Sequence, residues 1–358
     1  MDAIGNEFVC PTCGADVVRS NVTCPKCGNP LEWEGVEAGP GADHGGISPA
    51  PDVRPMGLGD IFDRTFRMFS AVFTRSILIS LILFLPASIV LMFGAGQFYR
   101  SIGTLLQTTV ASETPGPEET LALLVSLGVF AISFALAFLA VIIGEIAVTI
   151  LVTGEFHGSP VAWKEALARA AGVRMLRGIG IMLLQGLAYV AIIAIPAALF
   201  GVAGGVLMVI PGLMISSVAV IFLLIRWTFS LTAVGCEDLG VTASMHRSWL
   251  LVRSGWWRVL GIILLMGLLV GFATMLITTP ISLIAFWDFY REYFKALGAA
   301  GGGTPDPAQM AKVMSTMGPG LGISMGINLM ISTLTRPVYA TVLYFDLRAR
   351  RGEFVRGS

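Results

Sequence analysis

The chain has 358 residues, 55% of them hydrophobic and only 13% charged, with a mean hydropathy of +0.80. Soluble domains carry about 25% charged residues, so this composition excludes an ordinary water-soluble globule and points to an integral membrane protein. Basic and acidic residues number 23 each, a net charge of +0, which argues against nucleic acid as the main partner because phosphate binding needs an uncompensated basic face.

Two knuckles open the chain, Cys10-Pro-Thr-Cys13-Gly and Cys24-Pro-Lys-Cys27-Gly, separated by ten residues. Thiolates at i and i+3 on a tight turn grip a tetrahedral Zn²⁺, and two such pairs complete a closed four-sulfur site. The alternatives are a pair of disulfides or a redox CxxC. The opening MDAIGNEFVCPTCG has neither a basic start nor an apolar core, which predicts a cytosolic module with reduced thiols and favours zinc. Such a site has no open position, so the metal is structural and supplies most of the folding energy of so small a unit. Residues 8–33 resemble the zinc-ribbon family, and the module is bounded at 1–33. Its acidic balance, Arg19 and Lys26 against Glu7, Asp16, Glu32 and Glu34, points to docking of a cytosolic protein and not to DNA. Residues 34–57, rich in Gly, Pro and Ala, read as a flexible linker in which His44 is solvated.

From Leu58 to Phe73 the apolar residues Leu58, Ile61, Phe62, Phe66, Phe69 and Phe73 keep a helical period, with Asp60, Asp63, Arg64 and Arg67 opposite. This predicts an amphipathic helix lying in the membrane interface. Runs of about 20 apolar residues mark spans. They fall near 75–97, 121–151, 178–200, 206–234, 258–285 and 319–345, inside a membrane domain of 58–351, with a tail at 352–358. Pro211 is expected to break the fourth span, and Pro86, Pro196 and Pro280 to kink the odd-numbered ones. Arginine and lysine concentrate on one side, from Arg64, Arg67 and Arg75 through Arg174, Arg177 and Arg258 to Arg348, Arg350 and Arg351. That bias predicts both termini in the cytosol of an inner-membrane protein. Residues 98–120, 201–205 and 286–318 become external loops, the last with a mobile Gly-rich segment. The fold class is therefore all-α: a six-helix transmembrane bundle with interfacial amphipathic helices and a small N-terminal zinc ribbon.

A pattern recurs three times. Amphipathic stretches at 58–73, 159–177 and 241–253 each precede a span, and a longer span then ends at an acidic mark: Glu155, Glu237 with Asp238, and Asp346. Ten or eleven residues before each mark a charge interrupts the apolar run: Glu145, Arg226 and Arg336. Ionisable residues at depth usually face the bundle interior in pairs, so these three suggest a buried charge cluster or an anion site for a group such as a lipid phosphate. If the helices overrun the bilayer, the arginines instead snorkel to headgroups. Of the buried readings, the structural cluster is preferred to the ligand site.

Three stretches resemble one family. They are Leu58-Gly-Asp-Ile-Phe-Asp-Arg-Thr-Phe-Arg67; Arg247-Ser-Trp249-Leu-Leu-Val-Arg253 with Trp256-Trp257-Arg258; and Tyr344-Phe-Asp346-Leu-Arg348-Ala-Arg350. The family is the membrane domain associated with glycerophosphoryl diester phosphodiesterases, which also occurs as stand-alone proteins. The resemblance covers residues 58–351 and implies an integral membrane fold near lipid, with Arg247, Trp249, Arg253, Asp346 and Arg348 as interfacial motif residues. No catalytic barrel follows Ser358 in this sequence, so phosphodiesterase activity is not expected.

Other motifs are read as structural. Gly322-Ile-Ser324-Met-Gly326 matches G-x-S-x-G but sits in an apolar helix with Gly318 and Gly320, so helix packing is expected, as for Gly267 and Gly271. His157 and His246 have no metal-spaced partners, and Trp163, Trp249, Trp256 and Trp257 fit an interfacial belt. Three functions remain: a non-catalytic protein that docks a partner through its ribbon and organises lipid, a transporter or lipid-translocating protein using the charge cluster, and a membrane enzyme on lipid headgroups. The last lacks an acid–base and nucleophile set.

Overall fold

The computed structural model describes residues 7–9, 16–18, 54–110 and 116–354, and the chain divides into two units, Met1–Ile47 and Ser48–Ser358. In the first unit, strands β1 (Glu7–Val9) and β2 (Asp16–Val18) pair antiparallel, with Phe8 opposite Val17. Cys10, Cys13, Cys24 and Cys27 and the linker up to residue 53 lie outside the described residues.

The described residues of the second unit are helical apart from the short segment before the first helix and the turns between and after the helices. It holds six helical runs long and apolar enough to cross a membrane, close to the six expected from sequence. The first, α1 (Leu58–Val110), has 53 residues and is about 80 Å long at 1.5 Å per residue. The separate interfacial helix expected at 58–73 does not exist: no helix breaker separates it from the span, so the backbone runs through. The expected loop at 98–120 is largely helix as well. α1 carries on to Val110, and α2 (Pro117–Phe156) starts with proline at its first position and Glu119 reaching back to the Gly116 amide at 3.2 Å.

After α2 come α3 (Trp163–Arg169), a π-helical turn (Ala170–Arg174) that leaves helical geometry at Gly172, and α4 (Met175–Gly204). α5 (Val206–Arg226) and α6 (Ser230–Glu237) together form the fourth span. The break is at 227–229, whereas Pro211, the expected breaker, lies inside α5 in its second turn. Then follow α7 (Val241–Arg253), α8 (Trp256–Ala285), α9 (Trp287–Ala299), α10 (Pro307–Ser315) and α11 (Met317–Arg350). Residues 286–318, expected as a loop, thus contain two helices. The Gly-rich stretch is a turn between them, with Gly301 and Gly302 at positive φ.

Helices α1, α2 and α11 form the tightly packed part. Two-thirds of the apolar window of α2 is buried, against 11% in α8 and 17% in the α4 and α5 runs. The α4–α5 pair and α8 turn rows of Leu, Ile and Phe outward, among them Leu187, Ile215, Leu268 and Phe272. Such rows match hydrocarbon and would be a liability in water.

Glycines make the α1–α11 contact. A Cβ on Gly318 would lie 2.5 Å from the Ala95 carbonyl oxygen, one on Gly322 2.4 Å from Met92 Cα, and one on Gly326 2.0 Å from Ser88 Oγ. The three glycines recur every fourth residue, one face of a helix, and bring the backbones together. Ser324 between them hydrogen-bonds Ser282 at 3.0 Å across to α8. Gly267 and Gly271 differ from expectation: a Cβ on either meets nothing within 4 Å, so they pack against no helix. The prediction is a contrast in sign. Gly322→Ala destabilises the domain by about 1–3 kcal/mol or more through overpacking. Gly271→Ala leaves it unchanged or gains up to about 1 kcal/mol of helix propensity. Thermal unfolding of both variants in detergent checks this, and equal shifts would refute the close contact.

Candidate functional site

The acidic marks and the arginines meet at one end of the domain. Glu155 at the close of α2 pairs with Arg75 of α1, and Arg75 also donates to the Val161 carbonyl at 3.1 Å. Asp238 after α6 receives Arg174 at 2.9 Å, from the end of the π-helical turn, and Arg177 at 2.6 Å, from the first turn of α4. Asp346 near the end of α11 receives Arg258 of α8 at 3.1 Å. In all three cases the acid closing the second helix of a hairpin binds an arginine near the basic end of its first.

Asp346 is the most enclosed of the three, with 0% of its side chain exposed, against 21% for Glu155 and 56% for Asp238. Besides Arg258 it accepts from Arg350 Nε at 3.1 Å and from the Met56 amide at 2.7 Å. The same two arginines donate to the Met56 carbonyl, at 2.8 Å from Arg258 and 2.6 Å from Arg350. One carboxylate thus clips the segment leading into α1 onto α8 and α11.

Beside it lies a closed ring of four charges. Arg247 of α7 binds Glu237 at 3.0 Å and Glu353 at 2.5 Å, and Arg348 binds the same two acids at 3.3 and 2.8 Å. The Tyr344 hydroxyl donates to Glu237 at 2.6 Å. Burial opposes the charge on Arg247, but its bonds to Glu353 and Glu237 outweigh that and raise its pKa. Burial likewise works against the Glu353 carboxylate, yet bonds from Arg247 and Arg348 hold it below the usual carboxylate range. Phe354 packs on Phe345 and under the Arg348 guanidinium, and Arg351 donates to the Leu250 carbonyl. The first residues of the expected tail are therefore built into this end.

The three intramembrane charges do not form one cluster. Arg336 Nη1 meets Glu145 at 2.7 Å, as expected of a pair. Arg226 stands apart: its guanidinium stacks over Trp249 at 4.6 Å and Phe222 at 5.1 Å and donates to the Trp249 carbonyl at 3.3 Å. The reason is local. α5 ends at Arg226 and a turn at 227–229 precedes α6, so this position lands against α7. Of the other motif residues, Arg253 is exposed at the end of α7. His246 is exposed, and the His157 ring nitrogen lies 2.7 Å from the Thr153 carbonyl. Among the described residues no group of three or more His, Cys, Asp or Glu is placed to hold a metal.

Sequence reasoning missed a second feature, a polar cleft of about 370 Å³ between α8 and α11. Arg336, Asn328, Ser332, Thr335 and Tyr339 line it from α11, and Thr274 and Thr278 from α8, beside Gly267 and Gly271. The signal was present. Ser324, Asn328, Ser332, Arg336 and Tyr339 recur at intervals of three or four, a polar stripe along an apolar helix.

No family model, curated protein or solved structure matches the chain. The six apolar runs define it as a helical membrane protein.

Two predictions follow from the basic end. Removing one partner of a buried pair costs about 3–5 kcal/mol. Asp346→Ala should therefore be the most damaging of the three acid substitutions, Glu155→Ala milder, and Asp238→Ala close to neutral in thermal unfolding. The reverse order would separate burial from stability here. The second concerns Glu353, whose folded pKa lies below its unfolded one. Its contribution is complete above the ordinary Glu pKa of about 4.3 and is lost as pH falls through the lowered folded value. Glu353→Gln should mimic that acid state at pH 7, with faster hydrogen exchange across 348–354. Unchanged exchange would show that the ring does not hold this segment.

Proposed function

We propose that this chain is a non-catalytic protein of the cytoplasmic membrane, with both termini in the cytosol, a zinc ribbon that docks a cytosolic protein, and a helical domain that holds that partner beside lipid. The observation that carries this reading is the contrast along the domain. The arginine-rich end is fixed by three similarly placed ion pairs and a four-charge ring, while α4, α5 and α8 expose apolar rows beyond it. That is how a rigid platform on lipid-embedded helices is built, and the arginine bias supports a cytosolic position for the platform. The sequence resemblance of residues 58–351 to the stand-alone membrane domain associated with glycerophosphoryl diester phosphodiesterases would fit this role.

The ribbon draws support from its strands. Val9 ends β1 and Asp16 begins β2, so the link between the strands contains Cys10 and Cys13, where a metal-binding knuckle would belong. The four cysteines would hold one structural Zn²⁺ by their thiolates, which ties the fold of the first unit to metal.

A second reading, a lipid-translocating protein, is favoured by the polar cleft that α8 and α11 form around Arg336.

The test is metal content with topology. The purified chain should carry about one zinc. Cys10→Ser with Cys24→Ser should abolish it and leave the unfolding of the helical unit unchanged. Full zinc retention removes the ribbon. Labelling of Cys10 from outside intact cells removes the orientation.

A further inference from the structure

We propose that the α8–α11 cleft is a lateral binding site for a phosphate-bearing lipid, with Arg336 as the headgroup anchor. The inference rests on the membrane-embedded reading and deepens its lipid-handling side.

Position is the first argument. Trp256, Trp257 and Arg258 form an aromatic and basic layer of the kind that sits at a membrane surface, and Asp346 is ion-paired to that layer. Arg336 precedes Asp346 by ten residues of continuous helix, about 15 Å of axial rise. A bilayer core is about 30 Å thick, so the guanidinium sits near its middle.

Access is the second. Arg336 keeps 40% of its side chain exposed, and Asn328, Ser332, Gly267 and Gly271 are exposed beside it. The flank of α8 next to them is apolar: Leu264, Leu268 and Met275 face outward. Bare N–H groups opening on hydrocarbon are costly, so something polar must reach them, while the surrounding side chains suit acyl chains. An amphiphile meets both demands.

Charge is the third. Glu145 is buried, with 8% of its side chain exposed, and takes only Nη1 of Arg336. Among the described residues no other hydrogen bond ties this guanidinium. Glu145 does not line the cleft, so the cleft presents the cation and not the carboxylate. A guanidinium fork with free donors matches an oxyanion, and the Ser332 and Tyr339 hydroxyls with the Asn328 amide add neutral donors for the further oxygens of a phosphate. Over Gly267 and Gly271 a Cβ would meet nothing within 4 Å, and that open space gives room for the headgroup.

Native mass spectrometry of the delipidated full chain tests the proposal. The probes are dioleoyl phosphatidylglycerol, dioleoylglycerol, oleate and inorganic phosphate. The phosphatidylglycerol is expected to stay bound, and the diacylglycerol and oleate to be lost. Glu145→Gln with Arg336→Gln keeps the pair uncharged and should weaken retention about tenfold, the equivalent of one charge-assisted hydrogen bond. Gly271→Leu and Ser332→Leu fill the cleft, leave the ion pair intact, and should weaken retention similarly. Equal retention of diacylglycerol or oleate overturns the phosphate assignment. Unchanged retention in Gly271→Leu and Ser332→Leu overturns the location. Displacement of the lipid by inorganic phosphate alone overturns lateral entry and makes a free anion the source of the same chemistry. Failure to insert into nanodiscs would instead defeat the membrane reading.

Discussion

The structure depends on a single buried carboxylate. Asp346 has no exposed side chain and accepts from two arginines and a backbone amide. Arg258 and Arg350 together more than balance its charge, and both also donate to the Met56 carbonyl. A buried charge with complete hydrogen bonding fixes geometry more than it adds stability. Here it fixes where α1 enters, where α8 starts and where α11 ends. The two homologous contacts, Glu155 with Arg75 and Asp238 with Arg177, do the same for the other hairpins at rising exposure. The result is one end of the domain whose register is set by electrostatics.

Away from that end a different physics takes over. Lipid offers no hydrophobic drive for helices to associate, so association follows close van der Waals fit. Among the described residues the α1–α11 seam, with Gly318, Gly322 and Gly326, attains that fit over several turns, and α2 packs closely beside it at Gly94 and Gly144. α4, α5 and α8 bury far less of their apolar windows and are tied down at the ion-paired end, α8 also at Ser282. The cleft is the consequence: α8 is pinned near Arg258, joined to α11 at Ser282, and held off between these points.

How much of this the sequence revealed follows the range of each signal. The spans are local sums of apolar residues, and all six were legible. The acidic marks and the arginines were legible as a repeat, but which acid takes which arginine was not, because the partners lie 61 to 88 residues apart. Charge spacing suggested that Glu145, Arg226 and Arg336 were equivalent. It failed for Arg226 because the turn at 227–229, invisible as an apolar run, re-aims that part of the chain. The helices within 286–318 were missed for the opposite reason. Gly, Pro and charge there outweighed the amphipathic period of α9, which now holds Glu292 against Lys295 and Lys312 of α10 at 3.0 and 3.1 Å.

The glycines show why residue type alone misleads in such a chain. Gly322 and Gly271 occur in similar apolar helices and invite the same packing argument. One sits where a Cβ would strike a backbone atom of α1, and the other faces open space beside Arg336. A small residue in a membrane helix creates a vacancy, and what fills it depends on the neighbour. Where a second helix carries its own small surface, the vacancy closes into a seam. Where the neighbour carries Asn328, Ser332 and Arg336, closing it would cover the donors that Arg336 does not give to Glu145, at a cost of several kcal/mol in hydrocarbon. Polar lining and missing side chains are therefore two halves of one arrangement: the stripe on α11 opposes collapse, and the glycines on α8 leave the space open.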